Sequence, residues 1–600
     1  MKIVEVVFDI PVCKKFEYAV DGEIYPFVRV LVPFGKTKRV GFVVNVKEGK
    51  DNYENLKSVI KIYDKNPLIN SHLFSLSEFI SEKFVSSVGQ AVFSIIGTLP
   101  LKMPSFKIKE ISKKREKGEK KVVVFKKEKE KRDFYLKVVK EKLKNGSVLF
   151  LAPEIEIAKN YFNFFKDKID EILLYYGEMK KKEKGEKWAI ITECEKKLII
   201  GTRISAFLPV ADISAIIVED TTNPAYQEKQ TPKYETEEIV KFRSDKTGAS
   251  LFLCENCLSL KHYLEIEKGN FGKIVIGEKK EEKKIYVLKL RRKLMDKTIT
   301  FLTKEALSLM EETILRNKKV AIIHNRKGRG KILICEKCNY KFICKNCSSL
   351  LTIAEDGKKL FCKYCKSYSD FNKKCPECGS KKIIFKVYGI EKMVNLLEET
   401  YKNLKIVKYT GEIKNVEDDF NIAVGTSVIE EIIEKYEWGL VIFVNADFYL
   451  NLNDFSAEEK FFIMVNNILS KIEESTTIII QTGSPELEIF KSLKEANEEI
   501  FYRKELKVRK QIGYPPFSRI LKIEIKGSKK SPLERRKKEV EQLLKENNLE
   551  IIYQGQSFPP AIGKKQIWKF LVKIKNGVPD RLKEIIDGKF IKAEVNPPGI

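Results

Sequence analysis

The sequence predicts a multidomain α/β protein: a β-rich N-terminal domain, two consecutive parallel-sheet lobes, a cysteine-rich insertion in the second lobe and a small C-terminal α+β domain. Three observations predict it. Two separate series of short apolar runs alternate with helical segments, as the crossover units of parallel sheets do. Eight cysteines stand in four Cys-x-x-Cys pairs between Cys335 and Cys378, inside the second series. The stretches before the first series and after the second carry strand patterns without that rhythm. A chain of 600 residues that is 43% hydrophobic has ample apolar material for several cores.

The N-terminal domain, 1–104, opens with strand patterns; Val28–Gly35 and Val40–Val44 read as two strands around a basic turn, and Ser75–Ser86 as a helix. Residues 105–121 form a basic linker expected to be solvated. The first lobe, 122–290, opens with Val122–Phe125 and continues through the apolar runs Val148–Leu151, Leu198–Ile200, Ala215–Val218 and Leu251–Leu253. The second, 291–512, is built on Val320–Ile323, Ile406–Val407, Ile422–Val424, Leu440–Val444 and Thr476–Gln481, interrupted by the insertion at 333–382. From Gly513-Tyr514-Pro515-Pro516 onward, 513–600, alternation returns in Ile520–Ile525 and Phe570–Ile574. No repeat of fixed period runs through the chain.

The four cysteine pairs each supply two thiolates one knuckle turn apart, and two pairs complete a tetrahedral site. Five residues separate Cys335/Cys338 from Cys344/Cys347, too few to fold four ligands around one ion. Fourteen separate Cys344/Cys347 from Cys362/Cys365, near the usual ribbon spacing. The expected arrangement is therefore nested: Cys335, Cys338, Cys375 and Cys378 around one zinc, Cys344, Cys347, Cys362 and Cys365 around a second. With every ligand a thiolate, no position is open for substrate, and both ions are structural. Disulfides are disfavoured in a long, Lys-rich chain that opens with no secretory signal. Cys254 and Cys257, next to the run Leu251–Leu253 and without a second pair nearby, read as buried structural cysteines.

The formal charge of +29 points to a polyanionic partner, nucleic acid before an anionic membrane; a Lys- and Glu-rich thermophile-like surface is the plainer alternative. No apolar run is long enough to span a bilayer, and a cytoplasmic protein without a membrane partner is expected. The three histidines, His72, His262 and His324, are scattered and suggest structural roles instead of His-based catalysis.

Tandem lobes in a basic chain suggest a nucleic-acid motor, which needs a nucleotide site. A Walker A loop requires glycines so that its N–H groups can turn around phosphates. None occurs. Gly35-Lys36-Thr37 has Val30 where the first glycine belongs and lies between two strands. After Val122–Phe125 the chain reads Lys126 to Asp133; Lys131 stands where the Walker lysine would, no glycine precedes it, and Arg132 replaces the magnesium-binding hydroxyl. After Ile216–Val218 come Glu219 and Asp220, an acidic pair able to hold Mg²⁺, then two threonines. ATP with magnesium is thus a cofactor only if a degenerate site of Lys131, Glu219 and Asp220 still works.

In this order, Phe16-Glu17-Tyr18 with Arg29–Lys36, Leu151–Ile155, Gly201–Pro209, Asn325–Gly328 leading into the cysteines, Asn445-Ala446-Asp447, Asn453-Asp454-Phe455 and Gln511–Phe517 resemble the primosomal protein N′ (PriA) family of replication-restart helicases. The resemblance covers nearly the whole chain. It implies a domain that binds DNA 3′ ends, with Phe16, Glu17 and Tyr18 at the pocket; Glu17 stands where the family has Asp. Arg29, Lys36, Lys38 and Arg39 are the candidate phosphate contacts, with solvated turn charges as the competing reading. It also implies nested zinc pairing, and two lobes that form a superfamily 2 helicase. The departures concentrate on ATP. The family's third helicase motif corresponds to Leu253–Ser259, and its arginine-finger motif to Asn467, Ser470, Lys471, Glu473 and Glu474, which reverses the charge. A winged helix that normally precedes the first lobe has only the 105–121 linker to occupy.

The expectation is a protein that recognises branched and single-stranded DNA at stalled forks and initiates primosome assembly without helicase activity. Its expected partners are primosome proteins, a helicase loader, the replicative helicase and single-strand-binding protein. Two alternatives stay open: an active 3′–5′ DNA helicase of the same family, and a zinc-ribbon RNA- or transcription-associated binding protein.

Overall fold

The computed structural model describes residues 2–48, 56–110, 116–193, 196–277, 284–290, 301–324, 332–338, 340, 342–345, 351–353, 359–361, 367–386, 390–411, 418–450, 454–528, 530–562, 565–575, 577–586 and 590–597. The N-terminal domain is a five-stranded antiparallel sheet of β1 (Lys2–Val7), β2 (Phe16–Val20), β3 (Arg29–Phe34), β4 (Thr37–Glu48) and β5 (Lys61–Ile62), in the order β2-β1-β4-β3-β5. The basic turn closes β3 on β4 in two residues, Gly35-Lys36, with Phe34 paired to Thr37; Gly35 sits at φ +60°, open to glycine without strain. One face of the sheet buries Val4, Val6, Val30, Val32 and Val43. Phe42 and Val44 join the core cluster that holds Leu73, Leu76 and Ile80 of α1 (Ser71–Lys83) and Val92 and Ile95 of α2 (Val88–Ile96). The helix expected at Ser75–Ser86 is α1, which starts four residues earlier and ends at Lys83; α2 was not expected. Asn70 caps the first, and a Ser87/Gln90 capping box starts the second.

The basic linker contains neither helix nor strand among its described residues before Lys120, where the first strand of the next domain begins, and it is not freely solvated at its start. Phe106 is buried, Asn66 and Asn70 donate to the carbonyls of Phe106 and Lys109, and Glu110 accepts from Ser71.

The first lobe runs β6 (Lys120–Phe125), α3 (Lys131–Leu143), β7 (Ser147–Leu151), α4 (Ile155–Phe165), β8 (Ile172–Tyr175), α5 (Lys181–Glu193), β9 (Leu198–Gly201), β10 (Ile213–Val218), α6 (Thr236–Thr247), β11 (Ser250–Glu255), α7 (Leu260–Glu267) and β12 (Gly272–Ile276). The strands lie parallel in the order β12-β6-β11-β10-β7-β9-β8. β7, β9, β10 and β11 are buried along their whole length, because helices cover both faces; that is why they read as unbroken apolar runs.

The second lobe is a six-stranded parallel sheet of, in spatial order, Ile285–Lys289, Thr477–Thr482, Trp438–Phe443, Lys319–Ile323, Ile422–Gly425 and Ile406–Tyr409. Ile285–Lys289, placed in the first lobe by the sequence, is an edge strand of this second sheet. Five residues bounded by charged segments carry no mark of which sheet they will join. The insertion is tied off by Ile332–Cys335 pairing antiparallel with Ile383–Lys386. In the C-terminal domain, Glu550–Ile562, Lys565–Ile574, Arg519–Gly527 and Ile591–Val595 form a four-stranded sheet, and Leu521, Ile523 and Ile525 share a core with Leu533, Val540 and Leu544 of the helix Lys530–Glu546. Among the described residues no helix is long and apolar enough to cross a membrane.

Candidate functional site

The residues singled out by the sequence fall in three places: the cleft between the lobes, the N-terminal sheet and the cysteine insertion. At the cleft, β6 ends at Phe125 and α3 begins at Lys131, so a loop of five charged residues stands in place of a phosphate cradle. Lys131 is buried, with Nζ 2.8 Å from Glu219 Oε1 and 2.9 Å from Glu128 Oε2, and the Tyr135 hydroxyl donates to the other Glu219 oxygen. Against burial, Glu219 and Glu128 hold the Lys131 ammonium well above the usual lysine range. Burial, with Glu128 and Asp220 adding repulsion, pushes the Glu219 carboxyl up to about 7 despite Lys131. The two groups thus consume each other.

The facing lobe completes the closure. Glu474 Oε1 lies 2.8 Å from Lys127 Nζ, and Glu498 Oε1 lies 2.5 Å from Lys126 Nζ. Glu459 accepts from the Leu260 amide at 2.8 Å, and the Tyr263 and Tyr502 rings pack at 4.7 Å. Burial raises the carboxyls of Glu430 and Glu434, the first with Asp220 and the second with Glu128 as neighbouring negative charges. A nucleoside triphosphate needs a concentration of N–H donors and cations. Here carboxylates from both lobes converge and the lysines already have partners, so the residues do not fit that group. Cys254 and Cys257 are fully buried beside this cleft, and Cys257 Sγ is 3.4 Å from the Tyr502 hydroxyl, in keeping with a structural reading.

In the N-terminal domain, β2 carries Phe16, Glu17 and Tyr18 on alternating sides. Phe16 joins Phe8 and Phe34 in a half-open aromatic nook, with ring centroids 4.7–5.4 Å apart. Arg39 lies over the Phe34 ring at 5.3 Å and Lys14 over Phe16 at 6.0 Å. Glu17 lies across from Glu5 on β1, 3.4 Å from Lys47 Nζ, so it is not beside Phe16. Two expected contacts need correction. Tyr18 is buried and donates to the Pro33 carbonyl at 3.0 Å. Arg29 is buried too, with Nε 2.9 Å and Nη2 2.6 Å from the Asp64 carboxylate, and it also donates to the carbonyls of Leu99 and Pro100; this guanidinium braces the domain and does not face a phosphate. Lys36, Lys38 and Arg39 are exposed around the hairpin as the sequence suggests.

The Sγ atoms of Cys335, Cys338, Cys375 and Cys378 all lie within 4.8 Å of one another, with Cys335–Cys378 and Cys338–Cys375 each at 3.5 Å. Four converging sulfurs fit a tetrahedral thiolate-loving ion such as zinc, and this is the outer set of the nested arrangement. Of the inner set, Cys344 is buried, with Sγ 3.3 Å from the Ser367 hydroxyl; Cys347, Cys362 and Cys365 lie outside the described residues.

Residues 5–97 match the family model for the PriA 3′DNA-binding domain. Replication restart protein PriA of Borreliella burgdorferi is 25% identical over 562 residues, which cover 86% of this chain and 85% of that protein. The Thermotoga maritima and Bacillus subtilis proteins of the same name are 24% and 23% identical over 64% of this chain, which spans only about half of each (54% and 51%). The chain is similar to replication restart protein PriA over most of its length. Among solved structures, RecG bound to a three-way DNA junction is similar at a TM-score of 0.38 with 11% identity, over 78% of this chain and 55% of that one, too low a score to compare the arrangement of the lobes.

The residues that sequence reasoning missed form a buried charged network at the end of β11. Glu255 ends β11 fully buried and accepts from Thr221 Oγ1 at 2.9 Å; His262 Nδ1 stands 2.9 Å from it, with His262 Nε2 3.2 Å from Glu237. Lys241 and Lys261 extend the network at 2.6 and 3.0 Å from Glu237. The motif comparison at Leu253–Ser259 marked the place but not the partner, which lies on the next helix.

Against burial, which would lower it, Glu255 and Glu237 raise the His262 imidazole to about 9. A histidine raised on folding contributes its full stabilisation below about pH 6.5 and loses it as pH climbs toward 9. Hydrogen-exchange protection of β10 and β11 should therefore fall between pH 6.5 and 9 by about 3 kcal/mol, and His262→Gln should flatten that slope. Equal slopes in both proteins would remove His262 from the network.

Proposed function

We propose that this protein is a replication-restart factor that recognises branched DNA by a strand's 3′ end and recruits others to reload a helicase, without unwinding DNA itself. The observation that carries the reading is Lys131. The lysine at the motor position is buried against Glu219 and Glu128, while Glu474 bridges to Lys127 where the family's arginine would meet a γ-phosphate. The 3′DNA-binding match and the relatives' name support the replication-restart part, and the exposed Lys36, Lys38 and Arg39 beside the aromatic nook support DNA contact. In this reading two zinc ions, one on each nested cysteine set, shape the insertion as a docking surface for primosome proteins. A helicase loader, the replicative helicase and single-strand-binding protein are the expected partners.

The test is a fork whose nascent 3′ end abuts the branch, compared with the same fork recessed by ten nucleotides. The expected result is at least roughly tenfold preference for the first, reduced in Phe16→Ala, with no DNA-stimulated ATP turnover and no strand displacement. ATP-dependent unwinding would overturn the motor-free half of the proposal. Equal affinity for both forks would overturn the recognition half.

A further inference from the structure

The structure assigns a second DNA contact to a basic cleft where the N-terminal domain, the first lobe and the C-terminal domain meet: we propose that it holds the phosphates of the strand whose 3′ end reaches the aromatic nook. This rests on the replication-restart reading and adds the path of the strand. The cleft has a volume of about 420 Å³, and Lys229, Lys233, Lys526, Lys583 and Lys592 line it with a single acidic residue, Glu524. Each domain contributes. Lys229 and Lys233 come from the first lobe, Lys526, Lys583 and Lys592 from the C-terminal domain, and Ser86, Ser87 and Gln90 from the start of α2.

Three features distinguish this cleft from a scatter of surface lysines. The lysines converge from two domains on one concavity, where low-dielectric walls strengthen a common field. The N-terminus of α2, a nine-residue helix, forms part of the wall, and although its capping box engages the Ser87 and Gln90 amides, its dipole favours an anion there. Beside it Ser86, only 7% exposed, keeps its hydroxyl buried without a hydrogen-bond partner, an unused donor in a site of positive potential. Lys233 is engaged at 2.8 Å by Glu594, leaving the exposed Lys229 and Lys592 as the most direct phosphate candidates.

Continuity with the nook argues for DNA as the occupant. The loop joining β1 to β2 carries Phe8 and Lys14 at the nook and Pro11 and Cys13 in the cleft wall. The Ser87 hydroxyl pins that loop, donating to the Ile10 carbonyl at 2.6 Å. A strand entering the nook therefore has the cleft immediately beside it.

The experiment measures the salt dependence of fork binding by the full-length, zinc-replete protein carrying K229Q/K526Q/K592Q, with K180Q/K181Q/K182Q as a control on exposed lysines outside the cleft. Each lost single-strand phosphate contact should reduce the slope of log K against log salt by about 0.7. The cleft triple variant should lose about 1.4 from the slope, the contacts of Lys229 and Lys592, and at least tenfold in affinity near 0.15 M salt, with an unchanged melting profile; the control should lose less than about 0.7. Replacing the phosphates preceding the 3′ end by uncharged methylphosphonates should lower the wild-type slope and leave the cleft variant's unchanged. A cleft variant that matches the control, or a methylphosphonate effect equal in both proteins, overturns the proposal. Wild-type protein that ignores the 3′ end sinks the replication-restart reading instead, which the two-fork comparison reports separately.

Discussion

Lys131→Ala is expected to destabilise the first lobe by about 3–5 kcal/mol above pH 7 without removing any nucleotide-dependent activity. The substitution leaves Glu219 buried with no cation, while Glu128 and Asp220 continue to repel it. The sign of the pH dependence follows. Glu219 is an acid whose folded pKa, about 7, stands above its ordinary value, so its ionisation works against the fold and stability falls as pH rises from about 4.5 through 7. Without Lys131 the carboxyl holds its proton to higher pH still, and the fall continues to higher pH. Urea unfolding at pH 6 and pH 8 measures it: the variant's deficit should be clearly smaller at pH 6. Lys131→Met with Glu219→Gln, which removes both charges and keeps the volume, should recover most of the loss. A working motor lysine behaves in the opposite way, leaving the fold nearly unchanged and abolishing turnover. That outcome would restore the helicase alternative.

The same residue shows how far the sequence could be read. That no glycine precedes Lys131 is visible in one dimension, because a phosphate cradle has a local requirement for backbone freedom. What occupies the space instead is not local: Glu219 lies 88 residues away, Glu474 is 347 from Lys127, and nothing in either segment names its partner. The parallel lobes were legible because strands buried on both faces become continuous apolar runs, and the thiolate set because zinc imposes short, fixed spacings. Arg29 and Tyr18 misled for a common reason. A basic or aromatic residue on a short strand looks the same whether it faces solvent or the domain, and only Asp64 and the Pro33 carbonyl decide between the two. Ile285–Lys289 was misassigned because strand composition does not reveal the neighbour.

Cys375→Ser should lower the bound zinc by one ion per chain and unfold the insertion while sparing both lobes. In small zinc modules metal binding and folding are one event, with apparent free energies of about 10–16 kcal/mol near neutral pH. The insertion has the same dependence, since its described hydrophobic cluster consists of only four buried residues, Phe342, Cys344, Leu351 and Leu360, and the two residues inside the first knuckle are Glu336 and Lys337. Its connection to the second lobe is a narrow two-stranded neck, Ile332–Cys335 against Ile383–Lys386, so collapse on one side need not propagate to the six-stranded sheet. Elemental analysis should give two zinc ions for the wild type, one for Cys375→Ser and two for Cys254→Ser, whose thiol is buried between lobe strands. Limited proteolysis should cut Cys375→Ser within 333–382 and leave lobe-sized fragments. Affinity for a fork with an abutting 3′ end should stay within about twofold, because the nook and the basic cleft belong to other domains. An unchanged zinc content in Cys375→Ser would break the nested pairing; loss of fork binding together with the metal would instead make the insertion part of the DNA-binding surface.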